Sequence, residues 1–488
     1  MKKSVFRILL LFLIILSLGC TKRAADDTAQ VYWVDENVLK IHMDEEPFSL
    51  DPAKAVTLGD FLLLPAIYRT LFTYEEELVP SENLLSSWDV SPDGLTYSYY
   101  LDEDAKFSNG KSITAEDVKF SWERVLNPAT SSPWSHLLLE VQGAESYRKG
   151  RKEEVEGIKV VSPFSFTVSL TESVPDFNLR LTHPAAAVLS RENVEANGVE
   201  FGMPGDYLAS APQIVASGAL VPMEWVDDFL MRLNKNKYYP KAGGERFEID
   251  FFGDYDTVSV EWEQGKWDII QGRKKDYLQI EAEIVEKRDL WQLTYLQFQN
   301  KSEAWSDFRL RLALGAAVDR NVLASTTEEL SRPSKNLLPG KNEVNLKRDW
   351  NTALELVRDA GFETIDSLPP LSLAYFQNIN PQITEQLAAQ LKEFGLNVQV
   401  LPPERLNQAD IVLRKRTLSY LDIKAWLLSF YSTYPEEELN SDELETNLLS
   451  GGEVLPLYFA SQIWLVSEEV DNFNINALGM PSWTAMKK

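Results

Sequence analysis

The chain has 488 residues, enough for about three structural units at the usual domain size. Its 48 Lys+Arg against 74 Asp+Glu leave a net charge of −26, which argues against a protein that lives on nucleic acid. One Cys and three His exclude a disulfide framework and a Cys-rich metal site, while 44% hydrophobic residues are ordinary for a packed globular chain.

Lys2, Lys3 and Arg7 precede an apolar run at 8–16, followed by Ser17-Leu-Gly-Cys20. A basic start, a short apolar run and a small residue at its end read as a secretory signal peptide over 1–19. The run is too short to span a bilayer comfortably, which takes about 20 apolar residues. A plain signal has no use for a Cys, yet the only Cys of the chain stands directly after Gly19. The pattern resembles a bacterial lipoprotein signal, and that resemblance implies a lipid on Cys20, although Ser17 stands where such signals usually carry Leu. Residues 20–30 are small and polar, suited to a tether.

In the body, 38–42 reads as a strand and 61–71 as a helix whose Pro65 belongs near its start or at a kink. Residues 95–101 are rich in strand formers, and Asn109-Gly110 signals a tight turn. Thr114 and Asp117 have capping-box spacing, and Val118, Trp122, Val125 and Leu126 follow on one helical face until Pro128 stops it. Two strands are expected over 157–170, around Ser162-Pro163. Later, 308–323 and 352–360 read as helices, the second closed by Gly361. Residues 371–376, 381–394 and 396–401 spell strand, helix, strand, a parallel α/β unit.

Catalytic signatures fail one by one. The chain has no Gly-x-Ser-x-Gly, His-Glu-x-x-His or Gly-x-Gly-x-x-Gly, and His42, His136 and His183 lack metal-ligand spacing. The stretch from Ala105 to Ser112 approaches a phosphate-binding loop, but its first glycine is Ala105 and no buried strand leads into it. A hairpin turn at Asn109-Gly110 explains the same residues. No enzyme, no cofactor and no tight zinc or nickel site is therefore expected.

Seven segments in order resemble the extracellular solute-binding proteins of oligopeptide, dipeptide and nickel ABC importers. They are Glu46-Pro-Phe-Ser-Leu-Asp-Pro52; Leu84 to Tyr97 with its Trp88 and Asp93-Gly94; and Ala105 to Trp122 with Phe107, Gly110 and Thr114-Ala-Glu-Asp117. They continue with Ser217-Gly-Ala219 plus Leu233 to Tyr239, Phe308 to Arg320, Ala353 to Gly361, and Leu455 to Phe459. The resemblance implies an α/β fold of two lobes closing at a hinge. The first lobe would be 31–67, 166–290 and 466–488, with an inserted subdomain at 68–165; the second would be 291–465. It implies no chemistry, but capture of peptides or a related small polar solute outside the membrane for delivery to an ABC permease, by a monomer held to the cell membrane through Cys20.

The same resemblance supplies candidate ligand residues. Val56, Thr57 and Leu58 align with a first-lobe strand that hydrogen-bonds extended ligands, Trp134 with a pocket aromatic, and Tyr295 lies where the chain enters the second lobe. In peptide binders of the family an Asp takes the ligand's α-ammonium; here Ser419 stands at that position, with Asp422 reachable only by a register slip. The neighbouring strand carries Lys415 and Arg416, of which alternation turns only one inward. An inward Arg416 would suit a carboxylate or phosphate better than an ammonium. The stretch 420–455 is also shorter than the family usually carries. These departures set up an alternative, a degenerate member acting as a surface interaction or adhesion lipoprotein without transport.

Overall fold

The computed structural model describes residues 37–74, 80–205, 213–239, 243–282, 284–299, 302–340, 346–418, 423–431, 439–476 and 478–488. The expectations for Cys20, Ser419 and Asp422 fall outside these residues. Leu39–Lys488 makes one compact unit.

Strand β1 (Val38–Met43) leads through the Ser49–Pro52 turn to helix α1 (Leu58–Ile67). The helix starts three residues earlier than the apolar pattern suggests, because Thr57 and Asp60 form a reciprocal capping box. Pro65 sits inside it, and Tyr68 ends it in an extended conformation. Strands β2 (Phe72–Tyr74) and β3 (Pro80–Glu82) pair with each other. Strands β4 (Leu85–Val90), β5 (Thr96–Leu101), β6 (Ile158–Ser162) and β7 (Ser165–Ser169) form a separate antiparallel sheet in the order β4-β5-β7-β6. Helix α2 (Ala115–Leu126) covers it, with Val118, Trp122, Val125 and Leu126 all buried as their spacing requires. Before that helix the chain turns at Gly110, whose φ of +87° suits glycine.

The chain then supplies β8 (Leu220–Val226), β9 (Leu230–Lys235), β10 (Arg246–Asp250), helix α3 (Tyr255–Glu263) and β11 (Ile269–Gly272). The long β12 (Ile284–Phe298) follows. After it the run expected as one helix over 308–323 is two, α4 (Phe308–Ala317) and α5 (Arg320–Thr326). Asp319 breaks it: its carboxylate accepts from Asn321 N and Val322 N and so starts a new helix. Next come β13 (Ser331–Pro333), α6 (Trp350–Asp359), β14 (Leu371–Tyr375), α7 (Pro381–Glu393), β15 (Val398–Val400), β16 (Ile411–Thr417), α8 (Ile423–Leu428), α9 (Ser441–Ser450) and β17 (Val454–Val466).

One mixed sheet runs in the order β15-β14-β16-β12-β17-β11-β1-β10-β9-β8, with β13 also on β17. β12 and β17 are antiparallel over almost their whole length, and their register slips between Asp289 and Leu293 and again between Thr294 and Tyr295. On one side of this pair a core gathers α1, β1 and β8–β10 with Trp464 and Trp483. On the other, α4–α7 pack on β14–β16 with Leu296 and Phe298. The sheet's opposite face there carries an aromatic group of Trp291, Tyr295, Trp426, Phe430 and Phe459. Among the described residues no helix is long and apolar enough to cross a membrane.

Candidate functional site

Two sets of parallel strands present their carboxyl ends to the same place. β1 and β11 are parallel, and Glu45 and Arg273 follow them; β14, β15 and β16 are parallel, and Lys415 lies near the end of β16. Crevices at such carboxyl ends are where open α/β sheets hold ligands.

On the β1 side the sequence candidates form a helix start, not a strand, because the capping box folds Thr57 and Leu58 into α1. Their backbone donors are all engaged. Val56 N and Thr57 N donate to Asp60 Oδ2 at 2.7 and 2.8 Å, and Leu58 N donates to Glu45 Oε1 at 3.0 Å. Asp60, fully buried, also accepts from Ser49 N at 3.0 Å. Trp134 is anchored to the same segment: its Nε1 donates to Ala55 O at 2.6 Å, and its ring lies 4.3 Å from His183 and 6.1 Å from Phe61, centroid to centroid. Burial pushes the His183 imidazole down to about 3, with the positive field of His136 adding to the shift, so it stays neutral and its Nδ1 accepts from Ala185 N.

On the opposite side, β16 pairs along one edge with β12 from Ile411 to Thr417, but β14 covers its other edge only from Ile411 to Leu413. Beyond Phe376 N, which donates to Leu413 O, no backbone pairing reaches that edge of 414–417 among the described residues. Alternation sends Lys415 and Arg416 to opposite faces. Arg416 stacks 5.1 Å over the Phe430 ring and donates to Ser429 O at 2.5 Å, so it is held in the aromatic group. Tyr295 belongs to that group too, buried edge-on to Phe430 at 5.0 Å.

Lys415 turns instead toward the β1 side. Between the two lies Arg273, whose Nη1 donates to Glu45 Oε2 at 3.1 Å and whose Nη2 donates to Glu329 Oε2 at 3.2 Å and Gln292 Oε1 at 3.5 Å. Lys415 Nζ stands 4.0 Å from Glu329. Burial depresses its ammonium below the usual lysine range, Glu329 raises it, Arg273 lowers it and Glu45 raises it. Glu45, Arg273 and Glu329 gave no signal in the sequence, since 228 residues separate the first two and each is one more charge in a charged chain.

A cavity of about 840 Å³ opens elsewhere, along the second half of α1, Arg69, Tyr239 and the segment 480–484. None of the sequence candidates lines it. The three histidines do not converge: His136 and His183 flank Trp134, while His42 packs on Trp267 and Tyr277. Among the described residues, the grouping that could surround a cation is Glu46, Asp227 and Asp228, without a histidine.

The comparisons with known proteins place this chain in a family. The family model described as bacterial extracellular solute-binding proteins, family 5 Middle, matches residues 79–438. The chain belongs to that family. It is 25% identical over 318 residues to the periplasmic oligopeptide-binding protein OppA of Escherichia coli, covering 63% of this chain and 57% of that one. Against the dipeptide-binding protein DppE of Bacillus subtilis it is 21% identical over 531 residues, 93% of both chains. The alignment thus spans little more than half of OppA's length. A solved structure of MppA, a periplasmic murein tripeptide-binding protein in unliganded open form, superposes with a TM-score of 0.74 at 20% identity, covering 92% of this chain and 96% of that one. The likeness shows the fold: the two-lobed α/β architecture implied by the sequence motifs.

Proposed function

We propose that the chain is the solute-binding component of an ABC importer and that its solute is a short, extended peptide. The open edge of β16 at 414–417 carries this reading. A strand edge with no backbone partner among the described residues, set at the carboxyl ends of two parallel strand sets, is a template for an added extended chain. The family supports the transport role, and relatives named for oligopeptides, dipeptides and a murein tripeptide support the solute class. None of these relatives favours the alternative of an adhesion lipoprotein.

In this reading the chain works as a monomer outside the cytoplasm, with 1–19 as signal, 20–30 as tether and a lipid on Cys20. The two lobes divide at the boundaries given by the motifs, and a membrane permease receives the peptide. Calorimetric titration of the full-length chain with di- to pentapeptides tests the solute class: binding is expected for at least one length, and no heat with any of them sinks the reading. Palmitate labelling in the producing bacterium tests the anchor; label unchanged in Cys20→Ala would overturn it.

A further inference from the structure

Among the described residues Lys415 has no hydrogen-bond acceptor for its ammonium. Its ammonium offers three donors, its side chain is only 25% exposed, and its nearest carboxylate, Glu329, is 4.0 Å away. That oxygen is already shared with Arg273 at 3.2 Å. Glu45 makes no hydrogen bond to Lys415 among the described residues; its oxygens take Leu58 N and Arg273 Nη1. Arg273 adds a further unmet donor: its Nε is buried and has no acceptor among the described residues. Buried donors without acceptors carry a desolvation penalty that a suitable partner removes, and a charged acceptor removes most.

We propose that Lys415, backed by Arg273, receives a carboxylate of the bound solute. This rests on the peptide reading and names what that site selects. The carboxylate would lie beside the open edge of β16, where an added extended chain must pass, and opposite Val56, Thr57 and Leu58. Arg416 has no part in it, since Ser429 O and the Phe430 ring already hold its guanidinium. The preference runs against the protein's overall field: a net charge of −26 favours cations at long range. A carboxylate preference must therefore come from the local pair.

Three probes separate the possible sources of the carboxylate: trialanine, trialanine amide, and Ala-Glu-Ala amide, titrated into the full-length chain. A terminal carboxylate predicts about tenfold tighter binding of trialanine than of its amide; a side-chain carboxylate predicts the same gain for Ala-Glu-Ala amide. Lys415→Met should erase the gain, whereas Lys415→Arg should keep it. An equal gain in Lys415→Met, or no gain for either carboxylate in the natural chain, overturns the proposal. Amine acetylation read by mass spectrometry on the natural chain gives a second measure, independent of whether the variant folds: the favoured carboxylate probe should protect Lys415 and trialanine amide should not. If no peptide binds, the peptide reading falls. Protection of Lys415 by N-acetylalanine would then still uphold the anion site, and its absence would overturn that as well.

Discussion

The two faces that meet at the site are built in opposite ways. On the α1 side every backbone donor of Val56, Thr57 and Leu58 is occupied, Asp60 ties the segment to Ser49, and Trp134 clamps Ala55. On the β16 side, among the described residues, an edge of backbone is open and the Lys415 ammonium has no hydrogen bond. A face whose polar groups are satisfied internally can present shape but gains little from a new polar partner. A face with unmet donors gains much. In the proposed reading, shape selection belongs to the first face and charge selection to the second.

The largest effect expected from disturbing this contrast is at Asp60. Asp60→Ala strips the acceptor from three backbone donors at once and should cost about 3–5 kcal/mol, read from urea unfolding of the full chain. Amide exchange at Val56 and Thr57 should accelerate with it. An unchanged urea midpoint would mean that the first face is not held by its own hydrogen bonds.

His183 sharpens the same point through pH. The unfolded imidazole takes a proton below about 6.5, whereas the folded one resists until about 3. Stability is therefore fully present above pH 6.5 and falls as pH drops through the window down to 3. Between pH 7 and 5 the loss from this group is about 2 kcal/mol. His183→Asn keeps an acceptor for Ala185 N and should remove that part of the pH dependence. Identical losses in both proteins would show that burial does not hold the ring neutral.

The smallest effect belongs to Arg416. Arg416→Met gives up the bond to Ser429 O and the stack on Phe430, about 1 kcal/mol of stability, and should leave the preference between trialanine and its amide untouched. A lost preference would move charge selection to the other face of β16.

Local signals in the sequence match local structure. The Thr114 capping box, the buried stripe of α2, the Gly110 turn and the parallel unit at 371–401 all depend on neighbours within a few positions. β12 has no strand signal in its first half, where Ile284-Val285 is followed by four consecutive charged residues, Glu286 to Asp289, so no two-residue hydrophobic alternation marks it. The Asp319 break was hidden inside a run of helix formers. For the candidate site, the motifs point to β16, and alternation with the aromatic group decides which of its two cations turns toward the β1 side. The aromatic group is assembled from residues more than a hundred positions apart, Trp291 and Tyr295 with Trp426 and Phe430. Arg273 could be found only once β1, β11 and β16 were brought together.

The pairing of β17 with β11, and of Trp483 Nε1 with Leu62 O across 421 positions, has a consequence for biogenesis. The core around α1 lacks two of its tryptophans, Trp464 and Trp483, until the last residues have been synthesised. Such late closure makes folding slow, and it leaves the emerging polypeptide unable to lock its first half. Under the export proposed above, the chain would gain time from that arrangement to cross the membrane before it folds. Truncation near the C-terminus should accordingly damage the earliest part of the molecule.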